Sequence, residues 1–244
     1  MTEISKTADK ALLVLADLAR NGPATLQRLA ERTRLNRTVA HRIVGALTAR
    51  GFVTRTEQIY AVAARVRRLS DAVFPELRRA AHGPLDRLAA ETGSTVLLQV
   101  LDGDSVIVVE ERPPGTGLDL RARLEVGTKR ELTECPSGAA VLAALNENAR
   151  NRALSARDLE ATGAEVLREQ LAQMLLTGTA GVVFDPQGGV CEAATPVQAG
   201  NHIAACVALL APAAHAAELG AHLRLLVDTA RSVERALGNT PSAA

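Results

Sequence analysis

The chain has 244 residues, of which 47% are hydrophobic and 23% charged, enough apolar material for one or two packed domains. No stretch approaches the roughly 18 consecutive apolar residues of a membrane helix, and the polar first eleven residues do not resemble a secretory signal. The three cysteines, Cys135, Cys191 and Cys206, show neither metal-ligand spacing nor a disulfide framework. We therefore expect a protein of the reducing cytoplasm, with no membrane partner, metal or cofactor.

The charge is distributed unevenly along the chain. Residues 1–70 carry 13 Lys or Arg against 5 Asp or Glu, a net of +8, whereas residues 71–244 carry 15 against 22, a net of −7. A basic segment joined to an acidic one favours a nucleic-acid-binding module attached to a domain of another kind. Chance clustering of solvated arginines is the alternative, which charge alone does not exclude.

Three short helices are predicted at the N-terminus. Apolar residues recur at helical spacing over 6–20, which indicates an amphipathic helix. Thr25 is suited to cap a second helix over 26–33, and Asn36 to cap a third over 37–50. In the third helix the buried stripe is expected to consist of Ala40, Ile43, Val44 and Leu47.

A short hairpin is predicted after the third helix. Gly51 closes that helix, Phe52-Val53 begins one strand, and Ile59 to Val62 supplies another. The polar residues 55–58 are expected to form the turn, although they lack Asn-Gly or Asp-Gly. Three helices followed by a hairpin predict a winged helix-turn-helix, whose third helix lies in the major groove of DNA.

The exposed face of the third helix carries Arg37, Thr38, His41 and Arg42. Guanidinium groups bind phosphate or guanine, and hydroxyl and imidazole groups bind base edges. The alternatives are an ordinary solvated face and, for His41, a contact to a phosphate or to the scaffold helix. The candidate DNA-binding residues are Thr25, Asn36, Arg37, Thr38, His41, Arg42 and Arg55.

The stretch from Thr33 to Val44, followed by Gly51-Phe52-Val53, resembles the IclR family of bacterial regulators. That family typically shows a Lys-Ser-Thr-Val-His-Arg-Leu-Leu segment ahead of Gly-Tyr-Val. Residues 85–96, 100–104 and 193–197 resemble, in turn, its helix-to-strand passage, its first hairpin and its Ile-Ala-Ala-Pro-Val strand. The resemblance covers nearly the whole chain in order, and it implies a GAF-like effector domain and a homodimer or a tetramer built as a dimer of dimers.

The fold class we predict is α+β. Residues 1–64 form the winged helix-turn-helix, residues 65–77 a linker helix interrupted near Pro75, and residues 78–244 an effector-binding and oligomerisation domain with an antiparallel sheet and flanking helices. Within that domain we expect helices over 77–92, 137–145, 164–176 and 216–237, and strands over 95–101, 106–110, 118–123, 181–184, 193–197 and 202–210.

In the family that this chain resembles, a small effector lies between the sheet and a loop that corresponds to residues 133–138. Members often show His-Ala-Thr-Ala-Ser-Gly-Lys there; Ser137 and Gly138 fit this pattern, whereas the other positions depart from it. Glu192 replaces a usual Cys, and Ala208 lies at a usual Ser. The candidate effector-binding residues are Thr133, Cys135, Ser137, Gly138, Val183, Glu192 and Ala208.

Because these exchanges remove hydroxyls and carboxylates that could orient a small acid, we expect an aliphatic pocket and a small, mainly apolar effector. Two alternatives remain open. The pocket has lost ligand binding altogether, or Cys135 is a redox sensor whose thiolate is favoured by a helix N-terminus. The neighbouring Glu134 counts against a thiolate there.

The sequence contains no HExxH, GxSxG or P-loop pattern and no nucleophile–base motif, so an enzyme that uses Cys135 with a histidine is disfavoured. A DNA-binding architectural protein without an effector is a third possibility. The leading expectation is a repressor that binds a near-palindromic operator in double-stranded DNA and responds to a small molecule.

Overall fold

The computed structural model describes residues 5–114, 123–155, 161–178, 183–185, 189–199 and 203–238, with the side chains of 161–164 and 183–185 excepted. The chain divides into two compact units, residues 1–73 and 74–244. No helix in these described ranges is long and apolar enough to cross a membrane.

The first unit contains three helices, a small sheet and a short fourth helix. The elements are α1 (Lys6–Asn21), β1 (Ala24–Thr25), α2 (Leu26–Thr33), α3 (Arg37–Ala49), β2 (Val53–Thr56), β3 (Ile59–Val62) and α4 (Arg65–Asp71). The three predicted helices are confirmed within one residue at each end. Their core, together with the hairpin, consists of Val14, Leu18, Ala24, Leu29, Ile43, Val44, Val53 and Tyr60.

The sheet of this unit differs from the predicted two-stranded wing. β1 pairs with β3, so the strand order is β1-β3-β2. Arg55 and Thr56, which were expected in the turn, pair with Tyr60 and Ile59 as part of β2. The turn itself is Glu57-Gln58, and Glu57 has φ of 54°. A two-residue hairpin loop needs positive φ, which is why the glycine-free turn was hard to place from sequence.

The predicted linker helix over 65–77 is wrong in its extent. α4 ends at Asp71, and the next helix, α5 (Pro75–Thr92), begins at Pro75. Phe74 between them has φ of 44°, which no α-helix accommodates. Pro75 therefore starts a helix, at the position where its missing N–H costs nothing, and does not interrupt one.

Among the residues that the structure describes, the second unit is built on a six-stranded antiparallel sheet. Its strands are β4 (Thr95–Asp102), β5 (Ser105–Arg112), β6 (Lys129–Glu131), β7 (Val183–Asp185), β8 (Val190–Gln198) and β9 (Ala204–Pro212), in the order β6-β5-β4-β9-β8-β7. Its helices after α5 are α6 (Pro136–Ala143), α7 (Glu147–Ser155), α8 (Ala161–Thr177), α9 (Ala216–Ala221) and α10 (Leu223–Gly238). Helices therefore flank an antiparallel sheet, and the α+β prediction is confirmed.

The two faces of this sheet pack against different helices. On β4, Val96, Leu98 and Val100 face the side covered by α5, α9 and α10, whereas Leu97 and Leu101 face the side covered by α6 and α8. This alternation follows from the two-residue period of a strand. The α6 side contains the positions at which the sequence predicts an effector site.

An ion-pair cluster fixes α5 against β5. The Glu110 carboxylate accepts hydrogen bonds from Arg78 of α5 and, at 2.6 Å, from Arg112. The Arg112 guanidinium also lies 2.5 Å from the Asp86 carboxylate of α5. Hydrogen bonds from Arg112 and Arg78 hold the pKa of Glu110 below its ordinary value, although burial alone would raise it.

Two expectations for the second unit fall partly outside the described residues, and its helices differ from the prediction at two points. The strand expected over 118–123 falls mostly on residues 115–122, outside the described residues, and the described strand before α6 is β6. Residues 181–182 are likewise outside the described residues, and β7 starts at Val183. The single C-terminal helix is two helices, α9 and α10, separated at His222. The helix α7 was not predicted.

Candidate DNA-binding face and interior polar site

The two predicted cap residues of the helix-turn-helix act as caps. The Thr25 hydroxyl accepts a hydrogen bond from the Arg28 N–H at 3.3 Å, and the Asn36 side-chain oxygen accepts one from the Thr38 N–H at 2.9 Å. Each satisfies an N–H that the first turn of a helix leaves without a partner. Thr25 and Asn36 thus fix where α2 and α3 begin, and with them the orientation of the α3 side chains.

Between α2 and α3 the chain turns at Arg34, which adopts the left-handed conformation with φ of 55°. The Leu35 N–H donates to the Ala30 carbonyl at 3.0 Å, which closes the end of α2. This turn positions Arg37, Thr38, His41 and Arg42 on the outside of the unit, where all four are exposed.

The exposed basic side chains of α3 have no polar partner in the part of the chain that the structure describes. Within the described residues, Arg37, His41 and Arg42 make no side-chain hydrogen bond or ion pair. Arg32 of α2 differs, because its guanidinium lies 2.7 Å from the Asp17 carboxylate of α1. The predicted alternative for His41, a contact to the scaffold helix, therefore finds no support, and α3 presents unpaired positive charge to solvent.

Gly45 lies on the same side of α3, one turn after His41 and Arg42. It is exposed, and a Cβ added to it would have no atom within 4 Å. A glycine inside a helix costs about 1 kcal/mol relative to alanine. No packing contact within the described residues requires that cost, and at this position the exposed surface of α3 carries no side chain.

Arg55 of the wing is exposed but anchored to its own hairpin. Its Nε donates to the Glu57 carbonyl at 2.6 Å, and its guanidinium lies 5.5 Å from the centre of the Tyr60 ring. This cation–π geometry leaves the charge at the protein surface. The wing thus holds Arg55 in a defined place beside the turn.

The residues of the predicted effector loop lie on the α6 side of the second unit. Cys135 immediately precedes α6, Ser137 and Gly138 form its first turn, and all three are buried, whereas Thr133 is half-buried. Ala208 of β9 is buried opposite Leu97 of the neighbouring strand. Val183 pairs with Glu192 through the backbone, and its side chain is outside the described residues.

Ser137 is the centre of a buried polar network. Gln99 Nε2 donates to Ser137 Oγ at 2.6 Å, Ser137 Oγ donates to Glu192 Oε1, and Arg130 donates to Glu192 Oε2 at 2.6 Å. Gln99 is 0% and Glu192 3% exposed. The expected aliphatic pocket is therefore wrong at these positions, since a charged pair and two neutral polar groups occupy them.

The Arg130–Glu192 pair requires a strongly curled sheet. β6 and β8 are separated by β5, β4 and β9, so a flat sheet would place their backbones about 19 Å apart, four spacings of roughly 4.8 Å. Side-chain atoms that meet at 2.6 Å across this span show that the two ends of the sheet bend towards each other on the α6 side. The pair thus closes the concave face of the sheet.

Gly138 has a packing role that the sequence did not reveal. A Cβ at this position would overlap the backbone of Leu132 and lie 2.6 Å from its carbonyl carbon. Only glycine lets the first turn of α6 pack directly on the strand-to-helix connection. This contact brings Ser137 into reach of Gln99 and Glu192.

The two cysteines on this side of the sheet lie where burial favours the thiol over the thiolate. Burial, together with the nearby Glu192 carboxylate, raises the pKa of Cys135 to about 12. Burial also raises the pKa of Cys206. Because the thiolate is the reactive form, this environment opposes the redox-sensor alternative for Cys135. The described residues contain no group of three or more His, Cys, Asp or Glu that could hold a metal ion.

Sequence reasoning missed Gln99 and Arg130. Gln99 could have been noticed as the one polar residue between Val96 and Leu101 of an otherwise apolar stretch of β4, where a buried amide must find a partner. Arg130 gave no comparable signal, because the run Lys129-Arg130-Glu131 has the composition of an exposed turn.

Comparison with known families decides the classification. Residues 7–57 match the IclR helix-turn-helix domain, and residues 55–235 match the model described as bacterial transcriptional regulator IclR C-terminal. The chain belongs to the IclR family. The family resemblance of the sequence is thereby confirmed, and the IclR family is one of transcriptional regulators.

Two curated relatives are similar over part of their length. The probable transcriptional regulator SauR of Cupriavidus necator is 31% identical over 165 residues, which are 64% of this chain and 65% of SauR. The transcriptional regulator Rv1719 of Mycobacterium tuberculosis is 29% identical over 180 residues, 71% of this chain and 69% of that protein. The chain thus aligns with just under two thirds of SauR.

Solved IclR structures share the fold over nearly the whole chain. The Thermotoga maritima IclR has a TM-score of 0.73 at 22% identity, with 95% of this chain and 98% of that chain covered. An IclR homolog from Microbacterium hydrocarbonoxydans, complexed with 4-hydroxybenzoate, has a TM-score of 0.76 at 20% identity, with 96% and 100% covered. At these identities the IclR likeness establishes the fold.

Proposed function

We propose that this chain is a transcriptional repressor that inserts α3 into the major groove of a near-palindromic DNA operator, as a homodimer or a dimer of dimers. The observation that carries the proposal is the exposed edge of α3, where Arg37, His41 and Arg42 have no partner within the described residues. Unpaired guanidinium groups in a segment of net charge +8 attract the phosphate backbone of DNA. Such a regulator acts where bacterial DNA is, in the cytoplasm, and requires no catalysis.

Each candidate residue has a different part in this proposal. Arg37 and Thr38 lie in the first turn of α3, the part of a recognition helix that contacts base edges. His41 and Arg42 follow one turn later and reach bases or phosphates. Arg55, held on the wing, contacts the backbone. Thr25 and Asn36 act mainly by positioning the two helices.

The test is the binding of Arg42→Ala to an operator selected from a pool of random duplexes by the unmodified protein. We expect weaker binding, and a plot of log affinity against log salt that is shallower by about one unit if Arg42 contacts a phosphate. Circular dichroism should be unchanged, because within the described residues the Arg42 side chain makes no hydrogen bond or ion pair that its removal would break.

Arg152→Ala is the matched control, since it removes an exposed arginine of α7 in the second unit. We expect it to leave operator affinity and its salt dependence unchanged. Equal affinities for Arg42→Ala and the unmodified protein would remove α3 from the proposed interface.

We further propose that the second unit binds a small effector on the α6 side of its sheet, at the network formed by Gln99, Arg130, Ser137 and Glu192. The support is the concentration of buried polar groups there, which is costly unless the groups are paired. The Microbacterium homolog, whose complex contains 4-hydroxybenzoate, is a precedent within the family. A small molecule that changes both thermal stability and operator affinity would confirm the effector role. If none does so, the chain is an effector-independent regulator.

A further inference from the structure

Two atoms of the interior network have no hydrogen-bond partner among the described residues. They are Gln99 Oε1, an acceptor, and Arg130 Nε, a donor, and both atoms are buried. Protein interiors satisfy roughly 90% or more of their buried polar groups. Two unsatisfied atoms in one network therefore indicate a place where a further molecule supplies the missing bonds.

The network itself fixes which end of the Gln99 amide lacks a partner. The Glu192 carboxylate only accepts hydrogen bonds, so the Ser137 hydroxyl must donate its single proton to Glu192. Ser137 Oγ must then accept from Gln99, which places the amide nitrogen towards Ser137 and turns the carbonyl oxygen away from it. The atom without a partner is therefore the acceptor Gln99 Oε1, and it calls for a donor on the ligand.

The charge of the network is already balanced. Arg130 and Glu192 form a pair at 2.6 Å, with 19% and 4% of their side chains exposed. An anionic ligand would have to enter beside the Glu192 carboxylate in a medium of low dielectric, where like charges repel strongly. A neutral ligand meets no such penalty.

We propose that this interior site takes a small neutral ligand of the carboxamide or alcohol class, with a donor for Gln99 Oε1 and an oxygen that accepts from Arg130 Nε, and that Glu192 excludes carboxylic acids. The proposal rests on the effector role proposed above and names the chemistry of that site. The ligand class differs from the mainly apolar effector expected from the sequence, and the proposal makes Glu192 a residue that determines ligand specificity.

The test compares matched neutral and anionic probes on the full-length protein, by thermal unfolding and calorimetry. Acetamide with acetate and benzamide with benzoate are pairs that differ chiefly in charge at one group. We expect at least one amide to bind and raise the unfolding midpoint of the unmodified protein, and its acid to bind about tenfold more weakly or not at all. Equal or tighter binding of the acid overturns the proposal, and so does the absence of binding by both amides.

Two variants test whether Glu192 and Gln99 produce the preference for the amide over the acid. Glu192→Gln keeps the shape but frees Arg130 for an external anion, so the preference should reverse in favour of the acid. Gln99→Leu removes the acceptor and should abolish amide binding, whereas Gln173→Leu, at an exposed glutamine of α8, should not. Unchanged amide binding by Gln99→Leu contradicts the proposal, even if Glu192→Gln does not fold.

The outcome is independent of the DNA test. If neither amide binds while Arg42→Ala still loses operator affinity, the ligand assignment fails and the regulator stands. If the amides bind with the expected preference but Arg42→Ala retains full operator affinity, the α3 interface fails and the ligand site stands.

Discussion

Replacing Gly45 with alanine should change the stability of α3 and its affinity for DNA in opposite directions. The added methyl group meets no atom within 4 Å, so nothing opposes the higher helix propensity of alanine. The gain should approach the full difference of about 1 kcal/mol. For a unit of the size of residues 1–73, that corresponds to a midpoint shift of roughly 4–8 °C.

The same methyl group should weaken DNA binding. It adds bulk next to His41 and Arg42 on the surface that we propose enters the groove, and we expect a loss of about tenfold, or ~1.4 kcal/mol. Unfolding of the full-length protein is followed by circular dichroism and by hydrogen exchange of the α3 amides. Operator affinity is followed by fluorescence anisotropy.

Gly220→Ala is the matched control, because Gly220 lies in α9 of the second unit and also has open space around an added Cβ. It should leave operator affinity unchanged. A Gly45→Ala protein that is more stable and binds its operator as tightly as before would show that the duplex does not approach this part of α3. A Gly45→Ala protein that is less stable would refute the packing argument itself.

Three further predictions concern the second unit. Arg130→Met leaves the buried Glu192 carboxylate unpaired and should lower the free energy of unfolding, measured by urea denaturation, by roughly 3–5 kcal/mol. Adding Glu192→Leu to this variant should restore most of the lost free energy of unfolding. The pKa of Glu110 is lowered in the folded state from 4.5, so its ion pairs stabilise the protein above about pH 4.5 and lose that contribution as the pH falls further. The thermal unfolding midpoint of Glu110→Gln should therefore fall less steeply with decreasing pH than that of the unmodified protein. Cys135 and Cys206 should react with DTNB at pH 8 only at the rate of unfolding, and rapid labelling of the native protein would reinstate the redox alternative.

Prediction from sequence succeeded where structure is decided by neighbours along the chain. Thr25 and Asn36 cap helices through N–H groups two or three residues away, and the apolar stripe that includes Ile43 and Val44 is a property of one helix. The family resemblance then extended these local results to the whole fold. The turn at Glu57 was misplaced because its positive φ is imposed by strand pairing, and glutamate does not signal it.

The interior site resisted prediction because its partners are distant in sequence. Arg130 and Glu192 are 62 residues apart, and they meet only because the sheet curls. Ala208 lies where the family usually has a serine, and the missing hydroxyl suggested a less polar pocket. The polar groups that Gln99 and Arg130 supply from other strands do not show in such a match of single positions.

Buried Glu192 and Arg130 are physically intelligible only as a pair. A buried carboxylate in place of a cysteine would be strongly destabilising alone, and so would a buried guanidinium on β6, because each charge would lack its counter-ion. Together they form a neutral unit that two neutral side chains, Ser137 and Gln99, complete. The selectivity that we propose for the site therefore depends on the balance of this set, and a single substitution that unbalances it should change which ligand charge is accepted as well as lower the stability of the fold.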